Sequence, residues 1–594
     1  MVLALASGAC SDLALKPDRI PSFLVISPAD TLLRVGDTVQ YRMTVLDQDS
    51  VVMDDVPDWV QPLWTTRIPW AVYMTEDGRA EAAVHTETEV RVSFAGVKAR
   101  TRLRVNPDEL TVTAAAYTLT QGVQNEEGSV PLIAGRAAFL RVFVTGDMPS
   151  FYQPRVRASF YHGGRLAHRV EMTLDWDRLP TGVEEGRLDR SFNARIPGGT
   201  INPGTTMVIE VDPEGVIPHT SESRLRVPAQ GSIALDVRRL NRLDLTVVPV
   251  VVASDTVSDQ LAFDWAEELA AGGDDLRLTR SVLPIGSMAV RVHEGVVTNA
   301  DLTTGIGWGD LLEEITLLRV SEGSQGYYYG AVAPIPGSRW SGLAVVAFPV
   351  AVGIASGGTL AHELGHNQGL QHAPCGGTGG ADEDYPYEGG VTGVWGYDMH
   401  ADRLVNPFLY KDVMGYCTPN WVSDYHFKRA MGFRETRESG LVGPPPAAAA
   451  GVGTGRTLLL WGSTGDLGLE LEPAFLTDLP VTLPEAGGPY RLEGLGPAGQ
   501  RRFSFSFAPR ETEFGGGSFL FAVPYEPSRD GELERVVLSG PEGFFALEHF
   551  GTPPMAMITD RKTGRVRGVL RDWSGGYDFV DGDIDIVISE GLPH

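Results

Sequence analysis

The sequence predicts a multidomain protein in which one α/β (α+β) domain is flanked by all-β sandwich domains. At 594 residues the chain is too long for a single hydrophobic core. Its 70 Gly and 40 Pro separate many short runs of alternating apolar and polar residues, a pattern typical of β-sandwiches with tight turns. Between about residues 241 and 436, in contrast, strand and helix patterns alternate.

Residues 1–20 form a leader that contains one cysteine. Its first nine residues are mostly apolar, and Cys10 is followed by Ser11-Asp12. The segment resembles the tail of a bacterial lipoprotein signal, which implies lipidation of Cys10. The alternative is a short apolar leader with an incidental cysteine. No apolar run is long enough for a spanning helix, so we expect membrane contact only through this N-terminal lipid anchor.

Two β-modules follow the leader. Residues 21–107 alternate apolar and polar positions around a Gly36-Asp37 turn, and the layout resembles a bacterial immunoglobulin-like domain. Residues 108–240 contain short strand patterns separated by Gly-rich turns, which we interpret as a second β-sandwich. Nothing in either module indicates a substrate.

The third module, residues 241–436, is the predicted α/β domain. Apolar runs predict strands over 245–252, 288–297, 327–332 and 341–346. Apolar residues at helical spacing predict helices over 258–271, 308–320 and 421–431, the last capped by Ser423. The strand predicted over 341–346 lies just before one further helix.

The further helix carries the most informative stretch of the chain. His362 and His366 are four residues apart, so on a helix both imidazoles leave the same face and can bind one Zn²⁺. Gly369 can adopt the left-handed conformation that ends a helix. The chain then turns back, which brings His372 near the first two histidines as a third ligand. Three protein ligands leave a fourth position for water, as in catalytic zinc sites. Glu363, beside the first ligand, is placed to act as general base without binding the metal.

This HExxHxxGxxH pattern at 362–372, together with Met414 in Asp412-Val-Met-Gly-Tyr416, resembles the metzincin clan of zinc endopeptidases. The resemblance implies a metzincin-like fold for the third module, with Met414 as a Met-turn beneath the histidines. It also implies that the Tyr416 hydroxyl lies near the zinc, where it could stabilise an oxyanion; the alternative is a buried structural tyrosine. Ala373 follows the third histidine, where the named branches of the clan carry other residues, so the branch stays open.

The clan resemblance has two further consequences. The strand before the zinc helix would form the upper rim of the cleft, so Gly342, Leu343 and Ala344 are candidates for binding substrate by strand addition. The alternative is an ordinary paired strand. A Met-turn under the zinc helix would also bring Cys375 and Cys417 together as a disulfide, which needs an oxidising compartment; the alternative is two free thiols.

Four remaining features are interpreted from residue type and composition. Either Ser356 or Thr359 could cap the zinc helix. The acids Asp382, Glu383 and Asp384 could bind Ca²⁺, although adjacent acids on a loop are more often only solvated. Residues 437–455 have the composition of a linker, and residues 456–594 return to strand patterns, which predicts a terminal β-sandwich.

Together these features predict a zinc-dependent endopeptidase that hydrolyses peptide bonds by metal-activated water, with Glu363 as general base. The layout is similar to that of secreted bacterial metalloproteases that cut mucin-type glycoproteins, so we expect an extracellular or cell-surface monomer acting on proteins or glycoproteins. The net charge of −27 argues against nucleic acid as a partner. The alternative is a surface adhesin or glycan-binding protein with an inactive or secondary protease domain.

Overall fold

The computed structural model describes residues 19–54, 60–253, 259–438, 456–465, 468–484, 487–575 and 583–593. Cys10 and nearly all of the predicted 437–455 linker lie outside the described residues, so the predictions for both stay untested. Within these ranges no helix is long and apolar enough to cross a membrane.

The first module is all-β and has one core. Its strands are β1 (Phe23–Ser27), β2 (Thr31–Arg34), β3 (Thr38–Gln40), β4 (Arg42–Leu46), β5 (Leu63–Thr66), β6 (Val72–Met74), β7 (Arg79–Ala82), β8 (Thr86–Phe94) and β9 (Val97–Asn106). A four-stranded sheet β2-β9-β8-β5 and a three-stranded sheet β3-β7-β6 share this core, and β1 pairs with β4. Trp64, Val72 and Leu103 meet between the two sheets.

The second module repeats this arrangement with different strands. They are β10 (Val112–Thr120), β11 (Leu132–Ile133), β12 (Ala138–Gly146), β13 (Val156–His162), β14 (Arg165–Met172), β15 (Phe192–Ile196), β16 (Thr205–Val211), β17 (Arg226–Val227), β18 (Ile233–Ala234) and β19 (Val237–Arg238). The sheets β10-β12-β15 and β14-β13-β16-β17 enclose a common core that includes Leu140, Phe160 and Phe192.

The third module alternates strands and helices, as its sequence pattern predicts. Its elements are β20 (Leu243–Val252), α1 (Asp259–Ala270), α2 (Asp275–Val282), β21 (Met288–Val292), β22 (Val296–Thr298), α3 (Gly305–Ser321), β23 (Tyr327–Val332), β24 (Gly342–Ala344), β25 (Val350–Ile354), α4 (Gly357–Asn367), β26 (Gly396–Asp398), β27 (Arg403–Val405), β28 (Lys411–Asp412), β29 (Asn420–Trp421) and α5 (Asp424–Thr436).

The C-terminal module is again rich in strands. They are β30 (Thr457–Gly465), β31 (Gly468–Leu471), β32 (Phe475–Thr477), β33 (Tyr490–Leu495), β34 (Arg501–Phe507), β35 (Arg510–Glu511), β36 (Gly517–Pro524), β37 (Arg535–Gly540), β38 (Gly543–Glu548), β39 (Met555–Asp560), β40 (Val566–Leu570) and β41 (Ile584–Ser589), with the short helix α6 (Pro527–Asp530) after β36.

A nine-stranded mixed sheet runs through both of these modules. Its order is β24-β25-β23-β20-β22-β40-β39-β41, and β21 also pairs with β20. The predicted terminal sandwich is therefore divided: β30 to β38 form two sheets of their own, whereas the last three strands extend the central sheet. The joint is the parallel pairing of β40 with β22, where Val297 lies opposite Gly568.

Helices cover the two faces of the central sheet with different partners. On one face, α1, α2, α4 and α5 share a core with sheet residues such as Tyr329, and Leu364 of α4 belongs to it. On the other face, Leu311 of α3 packs in a core with Val352 and with Trp461 of β30. α3 is thus enclosed between the sheet and the C-terminal module, while α4 is held at the opposite face, below the edge strand β24.

Two predicted strands differ from the observed ones. The strand predicted over 288–297 is divided into β21 and β22 near Gly295, whose backbone lies so close to Phe263 that a Cβ would come 2.5 Å from the ring. The strand predicted over 341–346 ends at Ala344, and β25, not this strand, directly precedes α4. A left-handed turn at Ala347 (φ 58°) separates β24 from β25, and the apolar sequence around it carries no turn signal.

Candidate active site

The N-terminus of α4 is fixed by a residue of another helix. Ser356 is the N-cap residue, but its side chain makes no capping hydrogen bond, and Thr359 lies inside the helix. Instead, the Gly357 N–H donates to the carboxylate of Asp275 in α2 at 3.2 Å. A carboxylate here satisfies an orphan donor and interacts favourably with the helix dipole. The predicted caps were wrong because the capping group comes from 82 residues upstream.

The imidazoles of His362, His366 and His372 converge. Each Nδ1 atom lies within hydrogen-bond distance of a backbone carbonyl: His362 of Val413 at 2.8 Å, His366 of Leu370 at 2.8 Å, and His372 of Gly379 at 2.6 Å. Carbonyls only accept, so each Nδ1 carries the proton and each Nε2 keeps a free lone pair. The ring centroids are 4.7–5.3 Å apart. Gly369 makes the predicted left-handed turn, with φ 78°, that brings the third histidine back.

These three lone pairs fit a zinc ion. The Nε2 atoms of His362 and His366 are 3.1 Å apart, yet neither has a proton to donate to the other. Two nitrogens of one tetrahedral zinc, each at about 2.0–2.1 Å from the metal, would be roughly 3.3 Å apart. Burial, helped by the neighbouring His366, lowers the pKa of His362 to about 3, which keeps it in the neutral form that binds metals.

Met414 lies beneath α4, where the clan resemblance expects it. Its side chain is fully buried and packs so closely on Gly365 that a Cβ at Gly365 would overlap the Met414 sulfur. The Met414 carbonyl accepts a hydrogen bond from the Ala373 N–H at 3.1 Å, and the preceding Val413 carbonyl orients His362. This segment therefore supports the first and third histidines through backbone contacts.

A buried acid holds the Met414 segment in place. Asp412 Oδ1 accepts hydrogen bonds from the Met414 N–H and from His426 Nδ1, both at 2.9 Å. Its other oxygen accepts from the Ser423 N–H at 2.8 Å. Burial opposes ionisation of Asp412, but His426 and these donors outweigh it and lower its pKa. His426 is therefore structural, and Ser423 caps α5 through the His426 N–H, as predicted.

The predicted disulfide joins Cys375 to Cys417. It closes a loop of 42 residues that contains the Met414 segment, and the Tyr416 N–H donates to the Cys375 carbonyl at 3.0 Å. The Tyr416 hydroxyl lies 3.2 Å from His372 Nε2, and the residue is 48% exposed. This position favours the alternative of a hydroxyl close to the metal ligands over that of a buried structural tyrosine.

Glu363 is buried on the helix face that points to β24. Gly342 leaves room for it, because any side chain at Gly342 would overlap the Glu363 carboxylate. Among the described residues Glu363 Oε2 has no hydrogen-bond partner. Burial, with a further contribution from Glu513, raises the pKa of Glu363 well above its ordinary value. Gly342, His362, Glu363 and Tyr416 line one cavity of about 400 Å³, so the candidate base forms part of the cavity wall.

Gly342, Leu343 and Ala344 make up β24 itself. This strand lies at the edge of the central sheet, antiparallel to β25. An edge strand is the kind of element to which an extended peptide adds, as the rim predicted for substrate requires.

Glu513 is the site residue that the sequence analysis missed. Its Oε2 atom lies 2.6 Å from His366 Nε2, 3.5 Å from His372 Nε2 and 3.8 Å from His362 Nε2. Its side chain is only 1% exposed. In the described parts of the chain, this is the one group of three or more His, Cys, Asp or Glu side chains that could share a metal ion.

The acids considered for Ca²⁺ are used differently. Asp382 Oδ2 accepts from the Tyr425 hydroxyl at 2.9 Å and pairs with Arg429 at 3.1 Å. Glu383 and Asp384 are exposed. Because the one buried acid already has a cationic partner, the arrangement gives no support to a calcium site.

A family comparison agrees with this geometry. Residues 289–429 match the family model described as Peptidase M66, a family of zinc metallopeptidases. The matched segment contains the three histidines, Glu363 and Met414, and it supports a zinc-dependent peptidase of some kind. No curated protein matches the chain.

Three solved structures illustrate a weak structural likeness to this chain. Domains 1–6 of the surface-layer protein SbsC match at 10% identity and a TM-score of 0.17, covering 38% of this chain and 29% of that one. A titin I-band fragment matches at 10% identity and a TM-score of 0.17, covering 39% of this chain and 72% of the fragment. Extracellular domains 3–5 of Drosophila OTK match at 8% identity and a TM-score of 0.15, covering 37% and 63%. The chain thus spans less than a third of the first, and TM-scores this low do not assign a fold.

Proposed function

We propose that this protein is a zinc-dependent endopeptidase that uses His362, His366 and His372 as metal ligands and Glu363 as general base. The observation that carries the proposal is the 3.1 Å distance between the Nε2 atoms of His362 and His366. Both rings donate their Nδ1 proton to a backbone carbonyl, so neither Nε2 atom has a proton to share. Two buried lone pairs at that distance repel each other unless a cation lies between them. The Peptidase M66 match over residues 289–429 independently supports zinc as that cation.

The remaining roles follow from the side chains around the histidines. A bound zinc ion would lower the pKa of a water ligand and polarise the substrate carbonyl group. Glu363 takes a proton from the attacking water and passes it to the leaving amine. Its raised pKa favours the protonated form between these two steps. The Tyr416 hydroxyl, on the open side of His372, is a donor for the oxyanion that develops on the substrate carbonyl.

The substrate we propose is an extended segment of an extracellular protein or glycoprotein. β24 ends the central sheet beside the cavity, so a peptide could add to this edge through backbone hydrogen bonds. The Cys375–Cys417 disulfide supports a location outside the cytoplasm, because such bonds persist in oxidising compartments. A metzincin-like arrangement of the third module belongs to the same proposal; the mixed sheet, α4 and Met414 support it.

Replacing the base tests this function. Glu363→Gln keeps the size of the side chain and should retain zinc, yet lower kcat for casein or mucin cleavage by about 10²–10⁴-fold. Glu383→Gln is the matched control, because Glu383 is an exposed acid of the same module outside the site. Fragments are counted by mass spectrometry after prolonged digestion. Equal cleavage by wild type and Glu363→Gln contradicts the proposal, and so does wild-type protein that binds mucin without ever cutting it.

A further inference from the structure

Glu513 reaches the metal ligands from the C-terminal module on a tight loop. The loop, residues 512–516, connects β35 to β36. Its Gly515 and Gly516 have φ values of 84° and 73°, which L side chains rarely adopt. The Gly515 N–H donates to the Thr512 carbonyl at 3.0 Å, and the Thr512 hydroxyl donates to the Gly515 carbonyl at 2.8 Å. Glu513 is therefore presented by a turn with its own internal bonding.

The same loop follows the edge at which we propose that substrate binds. Directly after β24, the Val346 N–H donates to the Glu511 carbonyl at 2.9 Å, and Val345 pairs antiparallel with Thr512. Phe514 packs edge-on against Trp340, with ring centroids 4.4 Å apart, and Trp340 lines the cavity beside Glu363. A segment of the chain's own C-terminal module thus occupies part of the position of an added strand.

The surroundings of the Glu513 carboxylate point to a cation. Neither carboxylate oxygen has a hydrogen-bond donor among the described residues, and its close neighbours are imidazole nitrogens whose protons point away. Glu363, a second buried carboxyl, lies in the same cluster. An ionised carboxylate without donors is very unfavourable in a protein interior unless a metal or a charged partner neutralises it. Its Oε2 atom lies within 3.8 Å of all three Nε2 atoms, close enough for the four atoms to bind one ion.

We propose that Glu513 is the fourth ligand of the active-site zinc in the resting protein, and that loop 512–516 is an internal inhibitor. The inference rests on the proposed peptidase function. Zinc sites with four protein ligands are closed, whereas catalytic sites keep one position for water. Substrate must therefore displace both a ligand and a paired strand. An intramolecular ligand of this kind competes at a millimolar effective concentration, so most chains stay closed and cleavage is slow.

The test compares Glu513→Gln with Glu511→Gln, an exposed acid two residues away in the same hairpin. Zinc affinity is measured by competition with a chelator, and acetohydroxamate binding to the zinc-loaded protein by calorimetry. Loss of a ligand should weaken zinc binding at least about tenfold, since even groups that only support ligands contribute 10–100-fold. The same variant should bind acetohydroxamate more tightly and cleave casein faster, while Glu511→Gln behaves as wild type. Glu513→Asp keeps the charge but has a shorter side chain, so its zinc affinity and cleavage rate should lie between those of wild type and Glu513→Gln.

The other outcomes distinguish failure of the Glu513 proposal from failure of the peptidase proposal. Unchanged zinc and acetohydroxamate binding in Glu513→Gln and Glu513→Asp overturns ligation by Glu513 but leaves the peptidase proposal standing. Weaker zinc binding with slower cleavage overturns the inhibitory role. Absence of zinc from wild type and all variants overturns both proposals together.

Discussion

Two buried charged clusters join the C-terminal module to the α/β module, and they neutralise charge in different ways. In one, Glu513 meets three histidines of the α/β module. In the other, Arg571, just after β40, reaches four acids. These are Glu314 at 2.5 Å, Glu472 at 3.1 Å, Asp310 at 3.4 Å and Glu313 at 3.6 Å.

The difference lies in where the positive charge comes from. In the second cluster the positive charge is the guanidinium of Arg571. Burial raises the pKa of Glu314 to about 8 although Arg571 opposes the shift, so this acid is neutralised by a proton. In the first cluster the close partners of Glu513 within the described residues are three histidines. Each of them has its proton on Nδ1, bonded to a backbone carbonyl, so none supplies a positive charge. Converging lone pairs around a buried acid, rather than burial or acidity alone, distinguish a metal site from a structural ion pair.

The largest effect on stability should come from removing the protein cation. Arg571→Met leaves the buried Glu314 and three half-buried acids without their partner and should lower the free energy of unfolding by about 3–5 kcal/mol. Zinc content should not change. Arg561→Met is the control, because Arg561 is 55% exposed and pairs on the surface with Asp583, where pairs contribute about 0–1 kcal/mol. Urea unfolding gives both values; equal losses would mean that the Arg571 cluster is no more than another surface pair.

Zinc removal should give the next largest effect and should act on the first cluster alone. At free zinc 100-fold above its dissociation constant, binding to the folded state stabilises by about 2.7 kcal/mol. A chelator should remove this increment from wild type and from Arg571→Met, and His366→Ala should show none of it. Thermal unfolding with and without chelator measures the difference. No response of wild type to the chelator would remove the distinction between the clusters.

The smallest effect at pH 5 concerns the proton in the second cluster. Glu314→Gln mimics the protonated acid and should change stability at pH 5 by no more than about 0.5–1.5 kcal/mol, the size of one hydrogen bond. The folded-state pKa of Glu314 is raised from 4.5 to about 8, so its contribution is complete below pH 4.5 and is lost as pH rises to about 8. Between pH 5 and 8 wild type should lose more stability than Glu314→Gln. Parallel pH curves from chemical denaturation would show that Glu314 is ionised throughout.

The sequence allowed prediction of features whose geometry is set within one helix or turn. His362, His366 and the Gly369 turn are local, so their spacing was sufficient, and the family resemblance led to Met414 and the disulfide. Contacts between distant segments were not predictable, since the packing of the whole sheet determines them. Asp275 at the N-terminus of α4, the pairing of β40 with β22, and Glu513 are of this kind. The local signal at Glu513, an acid and Phe514 before three glycines, predicts a hairpin turn but not a ligand.

X-ray absorption at the zinc edge, on protein purified without chelator, tests the central claim most directly. We predict one zinc per chain with three imidazole nitrogens at about 2.0–2.1 Å and one carboxylate oxygen, and replacement of that carboxylate by a water ligand in Glu513→Gln. Protein that holds no zinc, or zinc without imidazole ligands, would contradict the account.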